Sequence, residues 1–377
     1  MVLSPVAVAI GWWYFHQREL PNYGPAYREY AYVSNGKSNT VTVIDLRTFR
    51  PAKTITVGSE PSGLAANPKK NEIYVVNSNS NNVSVIDAER NAVVAMVGVH
   101  ATPYFIDVSS DGLRAYVANS GSANVSVIDL QKRAVVANIA VGSSPGLAKV
   151  SPDGKTVVVS NRGSDTVSLV DAGHLSVRST IPVCHQPEDI AVLPDNSKAW
   201  VSCSGSGQIA SIDLQRDKLL ALLDVGKTPV KLVLKPDGGE LMVCNFGSDN
   251  ISIIETGTDE VAGSYLIGKH PAHAVVSGDN SRLYVSNFGS NAVAIYDIDV
   301  GKVIASVPVG SAPDASALTP SENDLLVLDS QSGDVAVIDH NRNPKKFEKE
   351  YYLLTIIPAG EQPNAIVVKS FMLPKAK

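Results

Sequence analysis

Residues 61–99 read PSGLAANPKKNEIYVVNSNSNNVSVIDAERNAVVAMVGV, and this unit decides the fold. Leu64-Ala65-Ala66 reads as a short strand ended by Asn67-Pro68. Ile73-Tyr74-Val75-Val76 is a second strand, rich in β-branched and aromatic residues. A polar turn over 77–82 leads to Val83-Ser84-Val85-Ile86-Asp87, and residues 92–97 form a fourth strand. Sister copies turn on Pro152-Asp153-Gly154 and Pro236-Asp237-Gly238. No stretch between these turns sustains a helical period.

The unit repeats in steps of 42 residues. Its proline recurs at Pro61, Pro103, Pro145, Pro187, Pro229, Pro271 and Pro313, with Pro363 after a longer step of 50. An acidic residue closes the third strand at Asp45, Asp87, Asp129, Asp171, Asp213, Glu255, Asp297 and Asp339. Serines from Ser38 to Ser332 hold the same phase. Four-stranded repeats of about 40 residues are propeller blades. A single twisted sheet with two apolar faces covers neither, whereas a closed ring of such sheets covers both and needs no polar capping repeat.

The opening unit, residues 31–57, supplies a second, third and fourth strand only. Seven full units follow. Pro363-Asn364-Ala365-Ile366-Val367-Val368 matches a lone first strand. The expectation is therefore an all-β, eight-bladed β-propeller of four-stranded blades, closed by N- and C-terminal strands sharing one blade. Ala365 to Val368 should lie in the sheet that contains Val41 to Asp45. The extra length before Pro363 falls between Asp339 and Tyr352, carries Lys345, Lys346 and Lys349, and reads as an enlarged loop between third and fourth strands.

Composition narrows the function classes. The 377 residues are 44% hydrophobic and 18% charged, with a formal net charge of −5, so the chain can build a core and has no global basic footprint for nucleic acid. Residues 1–18 are apolar up to Trp12-Trp13-Tyr14-Phe15 and read as a signal peptide or signal anchor with its start truncated. The remaining divisions are a linker over 19–30, the propeller over 31–369 and a tail over 370–377. Export places the protein in the periplasm or outside the cell, with the membrane touched only through the N-terminal anchor. Cys184 and Cys203 share one face and can pair in an oxidising compartment, although nothing in the repeat forces their contact.

Tyr32-Val33-Ser34-Asn35, Ala115-Tyr116-Val117-Ala118-Asn119 and Leu283-Tyr284-Val285-Ser286-Asn287, with the Val-x-Val-Ile-Asp runs and the Val57-Gly58-Ser59-Glu60-Pro61 turn, resemble the signature of the YVTN-repeat β-propeller family. The likeness, to YncE-like periplasmic proteins and archaeal surface-layer propellers, implies export and a binding or structural role. Those relatives usually have seven blades, against eight counted here. Eight blades are also similar to the haem-binding propeller of cytochrome-type nitrite reductases, an analogy of fold.

Alternation of strand direction puts the turns between blades and the turns between second and third strands on one face, the upper face. The recurring asparagines and serines there read as turn formers that satisfy local backbone groups. Candidate ligand-binding residues are those where copies differ: His100, Tyr104, Phe105, Arg162, His185, Glu188, Asp189, Lys231, His270, His273 and Asp314, with Phe246 and Phe288 in a slot that is serine in four blades. His100, His185, His270 and His273 are the metal candidates, because imidazole beside carboxylate can hold a transition metal and opposed imidazoles can flank haem. His100 should face His270 and His273 across an eight-membered ring. No phosphate loop, nucleophile elbow, His-Glu-x-x-His or Cys-x-x-Cys-His motif is present. The sequence thus favours an exported, non-catalytic binding propeller with no cofactor, its partner a protein, a cell-envelope polymer or a small ligand. The alternative is a haem- or metal-binding periplasmic propeller, an oxidoreductase or cofactor carrier. A surface-layer module is a third reading, weakened by a closed ring with no appended domain.

Overall fold

The computed structural model describes residues 24–341 and 349–373. Among them are thirty-two strands and no helix, arranged as eight antiparallel four-stranded sheets. The innermost strands, from Pro61–Ala66 to Pro313–Leu318, touch one another in turn, and Pro363–Met372 touches both ends of that series. The ring of eight blades is closed.

Blade 1 is stitched from both ends of the chain, in the order Arg50–Thr56, Thr40–Asp45, Tyr27–Asn35, Pro363–Met372. Ala365 to Val368 therefore share a sheet with Val41 to Asp45, but their direct partners are Ser34 to Ala31. The pairing runs from Tyr27 opposite Met372 to Asn35 opposite Pro363. This corrects two boundaries: the expected linker ends at Tyr27, and the expected tail is strand as far as Met372. The reason is mutual. Tyr30 and Phe371 pack with ring centroids 6.2 Å apart, so each end lengthens the other's strand. The proposed signal segment, Lys345 and Lys346 lie outside the described residues.

Burial follows position in the blade. Second and third strands are covered on both sides, as in Glu72–Asn77 and Asn82–Asp87, while outer strands such as Ala134–Ala140 alternate between cover and solvent. Apolar clusters sit between neighbouring blades rather than within them. One joins Val76 and Val85 of blade 2 to Val117 and Ile128 of blade 3. Another seals the seam between blades 8 and 1 with Leu326, Leu328, Val335, Ala31, Val33 and Ile44. Two aromatic residues of second strands reach into the next blade. Tyr32 donates to Asn91 Oδ1 at 2.6 Å, and Trp200 donates through Nε1 to Asp259 Oδ1 at 2.9 Å.

The turn leading into each blade is built one way around the ring. The residue before the proline has positive φ in every copy, from Glu60 at 57° to Gln362 at 55°. In five copies an asparagine or aspartate of the preceding blade caps its N–H, as Asn39 Oδ1 caps Glu60 at 2.8 Å and Asp249 Oδ1 caps His270 at 2.9 Å, while Ala123, Gly207 and Gly333 stand in that place in the others. The phased serine accepts the N–H one residue earlier: Ser80 Oγ from Ser59, and Ser122 Oγ from Ala101, both at 2.9 Å. Three positions before the proline the slot is glycine in six copies and His100 or Cys184 in the other two; in blade 2 a Cβ on Gly58 would lie 2.7 Å from the Asn77 side chain. That asparagine, fully buried at the end of the second strand, sends its amide to Asn82 Oδ1 and Ser84 Oγ. The asparagines and serines are structural, as their repetition implied.

Candidate functional site

The chemistry-bearing residues of the upper face divide into a rim and a wall. On the rim, three blades are linked side chain to side chain. Tyr104 of blade 3 is exposed, and the Arg162 guanidinium of blade 4 lies 4.4 Å from its ring centroid. Arg162 Nη1 then donates to Glu188 Oε2 of blade 5 at 3.3 Å, and Ser204 Oγ donates to Glu188 Oε1 at 3.4 Å. The arginine crosses the ring over Gly146, where a Cβ would meet its Nε at 2.8 Å. Burial pushes the Glu188 carboxyl above the usual range, against the downward pull of Arg162.

The wall carries Asp189, Lys231 and His273 on the innermost strands of blades 5, 6 and 7. Innermost strands have one unpaired edge, and Asp189 satisfies two N–H groups along it. Its Oδ1 accepts from Ile190 at 3.0 Å, and its Oδ2 accepts from Leu232 of the next blade at 2.9 Å with Lys231 Nζ at 3.0 Å. Asp107 does the same one turn of alternation lower, accepting from Val108 and Val150 with Lys149 beside it at 3.2 Å. That second clamp was missed from sequence, although an Asp and a Lys at equal phase in adjacent copies announce it. His273 bonds Ser316 Oγ through Nδ1 at 3.1 Å. Burial, reinforced by the Lys231 charge, pushes its pKa down to about 3, so its ring is neutral. Phe105 is half-buried on the innermost strand of blade 3.

The histidines do not converge. His100 and the His270–His273 pair belong to opposite blades, as the ring order requires. His100 bonds Asn124 at 3.0 Å, His185 lies 2.9 Å from Asp165, and His270 bonds the Phe246 carbonyl at 2.9 Å, each held by a neighbouring turn. His273 is inside the wall. Among the described residues no group of three His, Cys, Asp or Glu side chains comes together as a metal would need. The four metal candidates are therefore not one ligand set. Cys184 and Cys203 form a disulfide with Cα atoms 5.6 Å apart, and Cys244 is a buried thiol raised to about 12 by burial.

Aromatic residues continue the rim over blades 6 and 7. The Phe246 ring stacks on His270 at 4.7 Å and meets Phe288 at 5.9 Å. Beyond Phe288, a cleft of about 760 Å³ opens towards blade 1, lined also by Asp314, Ser330, Gln331, Lys37, Glu361 and Gln362. Asp314 is pushed up to about 7 by burial, with Ser330 pulling back. Lys37 and Glu361 were not singled out in the sequence, because these two, 324 residues apart, come together only on ring closure.

A search of curated proteins gives no match. Among solved structures, hydrazine synthase of Kuenenia stuttgartiensis is similar at 24% identity and a TM-score of 0.58, over 74% of this chain and 95% of that one. The dihydro-heme d1 dehydrogenase NirN, solved in complex with DHE, is similar at 15% identity and a TM-score of 0.73, over 90% and 74%. A functionally unknown protein from Desulfotomaculum acetoxidans gives 18% identity and a TM-score of 0.62, over 79% and 99%. At these identities the likeness is one of fold. Residues 7–150 match the YNCE-like beta-propeller family model, and the same 42-residue unit runs on beyond that match to close the eight-bladed ring.

Proposed function

We propose that this propeller is an exported binding protein that holds a single polar ligand or partner on its upper face and catalyses no reaction on it. One observation carries the reading. Slots filled by Gly36, Ser62 and Ser78 in blades 1 and 2 hold Tyr104, Arg162, Glu188, Phe246, Phe288 and Asp314 further round, each from a different blade. Repetition builds the ring, whereas a set of unlike side chains converging on one mouth is what recognition of one asymmetric object requires. Asp189, Lys231 and His273 are engaged in the wall, so in this reading they shape the mouth rather than touch the ligand. The Cys184–Cys203 disulfide supports export, since such bonds persist in oxidising compartments. No helix among the described residues is long and apolar enough to cross a membrane.

The second reading, a haem- or metal-binding oxidoreductase or carrier, rests on the fold shared with the NirN dehydrogenase. The separate anchoring of His100, His185 and His270 weighs against it. One experiment tests both. Hydrogen exchange is followed with and without a solubilised cell-envelope fraction, and haemin, copper and zinc are titrated in parallel. The expected result is protection confined to the segments around residues 104, 162, 188, 246, 288 and 314, absent in Arg162→Ala. No protection on that face defeats the proposal. A saturable one-to-one Soret band or metal stoichiometry, lost in His270→Ala, moves the assignment to the second reading.

A further inference from the structure

The residue that ends the second strand is asparagine in six blades, Cys203 in blade 5 and Asp329 in blade 8. The asparagine amide donates to the side chain five residues on: Asn77 to Asn82 at 2.8 Å, Asn119 to Asn124 at 2.7 Å, Asn161 to Thr166 at 3.0 Å. It also donates to a hydroxyl seven residues on, such as Ser84 or Ser126. In blade 8 the position five on is Asp334 and the position seven on is Ala336. Asp329 is fully buried. Its Oδ2 accepts the Gly310 N–H at 3.0 Å, as Asn35 Oδ1 accepts that of Gly360 at 3.0 Å. Its Oδ1 is left in the place of the amide nitrogen without a hydrogen-bond donor, and Asp334 is the residue directly opposite on the neighbouring strand. Asp334 is half-buried and its Oδ1 accepts from Ser332 Oγ at 3.3 Å, but ionised carboxylates only accept, so two facing each other with one fully buried favour a proton between them.

We propose that Asp329 and Asp334 share one proton and form a pH-operated latch on the seam between blades 8 and 1. While the proton is present, Asp329 donates to Asp334 as asparagine does in other blades, and the turn over 330–333 is held against the cleft. When it leaves, the carboxylates repel and the turn moves away from Glu361 and Lys37 on the blade 1 side.

The surroundings support this. Burial pushes the Asp329 carboxyl up to about 8, with Asp334 and then Asp314 adding to it and the Gly310 N–H pulling back. The innermost strand contributes Asp314, the third strand Asp334, and the far side of the cleft Lys37 and Glu361. Blade 7 contributes Phe288 and Asn291, which do not titrate. A carboxyl raised in the folded state binds its proton more tightly there than in the unfolded chain. Its contribution to stability is thus complete below about pH 4 and is lost as pH rises to about 8. The latch does not depend on the binding reading above.

The test is the melting temperature between pH 5 and 9 of the wild type, Asp329→Asn and Asp334→Asn, with infrared difference spectra of the carboxyl region. The wild type should lose several degrees more than Asp329→Asn across this window, because the amide restores the donor without a proton. A neutral-carboxyl band should be present at pH 7, fade by pH 9 and lose its higher-pH component in Asp329→Asn, leaving the part that titrates with Asp314 near pH 7. Parallel melting profiles, no neutral-carboxyl band, or a band left unchanged by Asp329→Asn and removed entirely by Asp314→Asn overturn the proposal. If Asp329→Asn fails to fold, Asp334→Asn supplies the amide from the opposite side and decides the question by the same two readouts.

Discussion

Blades 1 and 5 stand opposite each other and solve the same problem by different bonds. Each must pin its lead-in turn to the end of its second strand. In blade 1 the pin is a hydrogen bond from the Gly360 N–H to Asn35 Oδ1, joining residues 325 apart. In blade 5 the glycine and asparagine slots hold Cys184 and Cys203, and the pin is a disulfide across a separation of 19. The covalent pin lies where the chain is already continuous, and the weaker one where the ring has no covalent continuity. The disulfide is therefore a local staple. Closure rests on strand pairing and on the apolar seam between blades 8 and 1.

The largest expected effect breaks the first term of this comparison. Deleting residues 362–377 removes the innermost strand of blade 1 and exposes the edge of Tyr27–Asn35; cooperative melting should vanish and the protein should aggregate on size-exclusion chromatography. A monomer with unchanged melting would refute non-covalent closure. Next, Cys184→Ser with Cys203→Ser should cost about 3 kcal/mol in denaturant unfolding, by chain entropy for a loop of this length. Cys184→Gly with Cys203→Asn installs the pin of blade 1 and should recover about 1 kcal/mol of that loss. Gly360→Ala strikes the opposite pin: its Cβ would lie 2.7 Å from Asn35, costing about 1–3 kcal/mol.

The smallest effect at neutral pH comes from a blade outside the comparison. His273→Gln should change stability by under about 1 kcal/mol at pH 7 while flattening the acid limb. With its folded pKa lowered to about 3, His273 contributes stability that is present above about 6.5 and lost as pH falls towards 3. Equal acid limbs in wild type and variant would place the ring in a wetter site than the wall.

Periodicity made the fold legible because each blade repeats the same burial problem, and three phased residue types located every lead-in turn. The strand ends at Tyr27 and Met372 were missed because they stabilise only each other and carry no repeat signature. The site was half legible. Departures from the repeat pointed to Tyr104, Arg162 and Glu188, which do meet. The same rule also gathered His100, His185, His270 and His273, which do not, since phase gives a blade and a height but not the direction of a side chain. Asp329 stood in the asparagine column in plain view. It was overlooked because an isosteric acid preserves the pattern while changing the chemistry.

The two ends of the described chain leave the ring together on the underside, where the Leu373 N–H donates to the Ala26 carbonyl at 2.8 Å. Anything fastened directly at Gly24 or Leu373 grips the disc from beneath and leaves its mouth facing open solution. Neighbouring ends also invite a circular permutant, with a short linker there and new termini cut at an exposed outer turn.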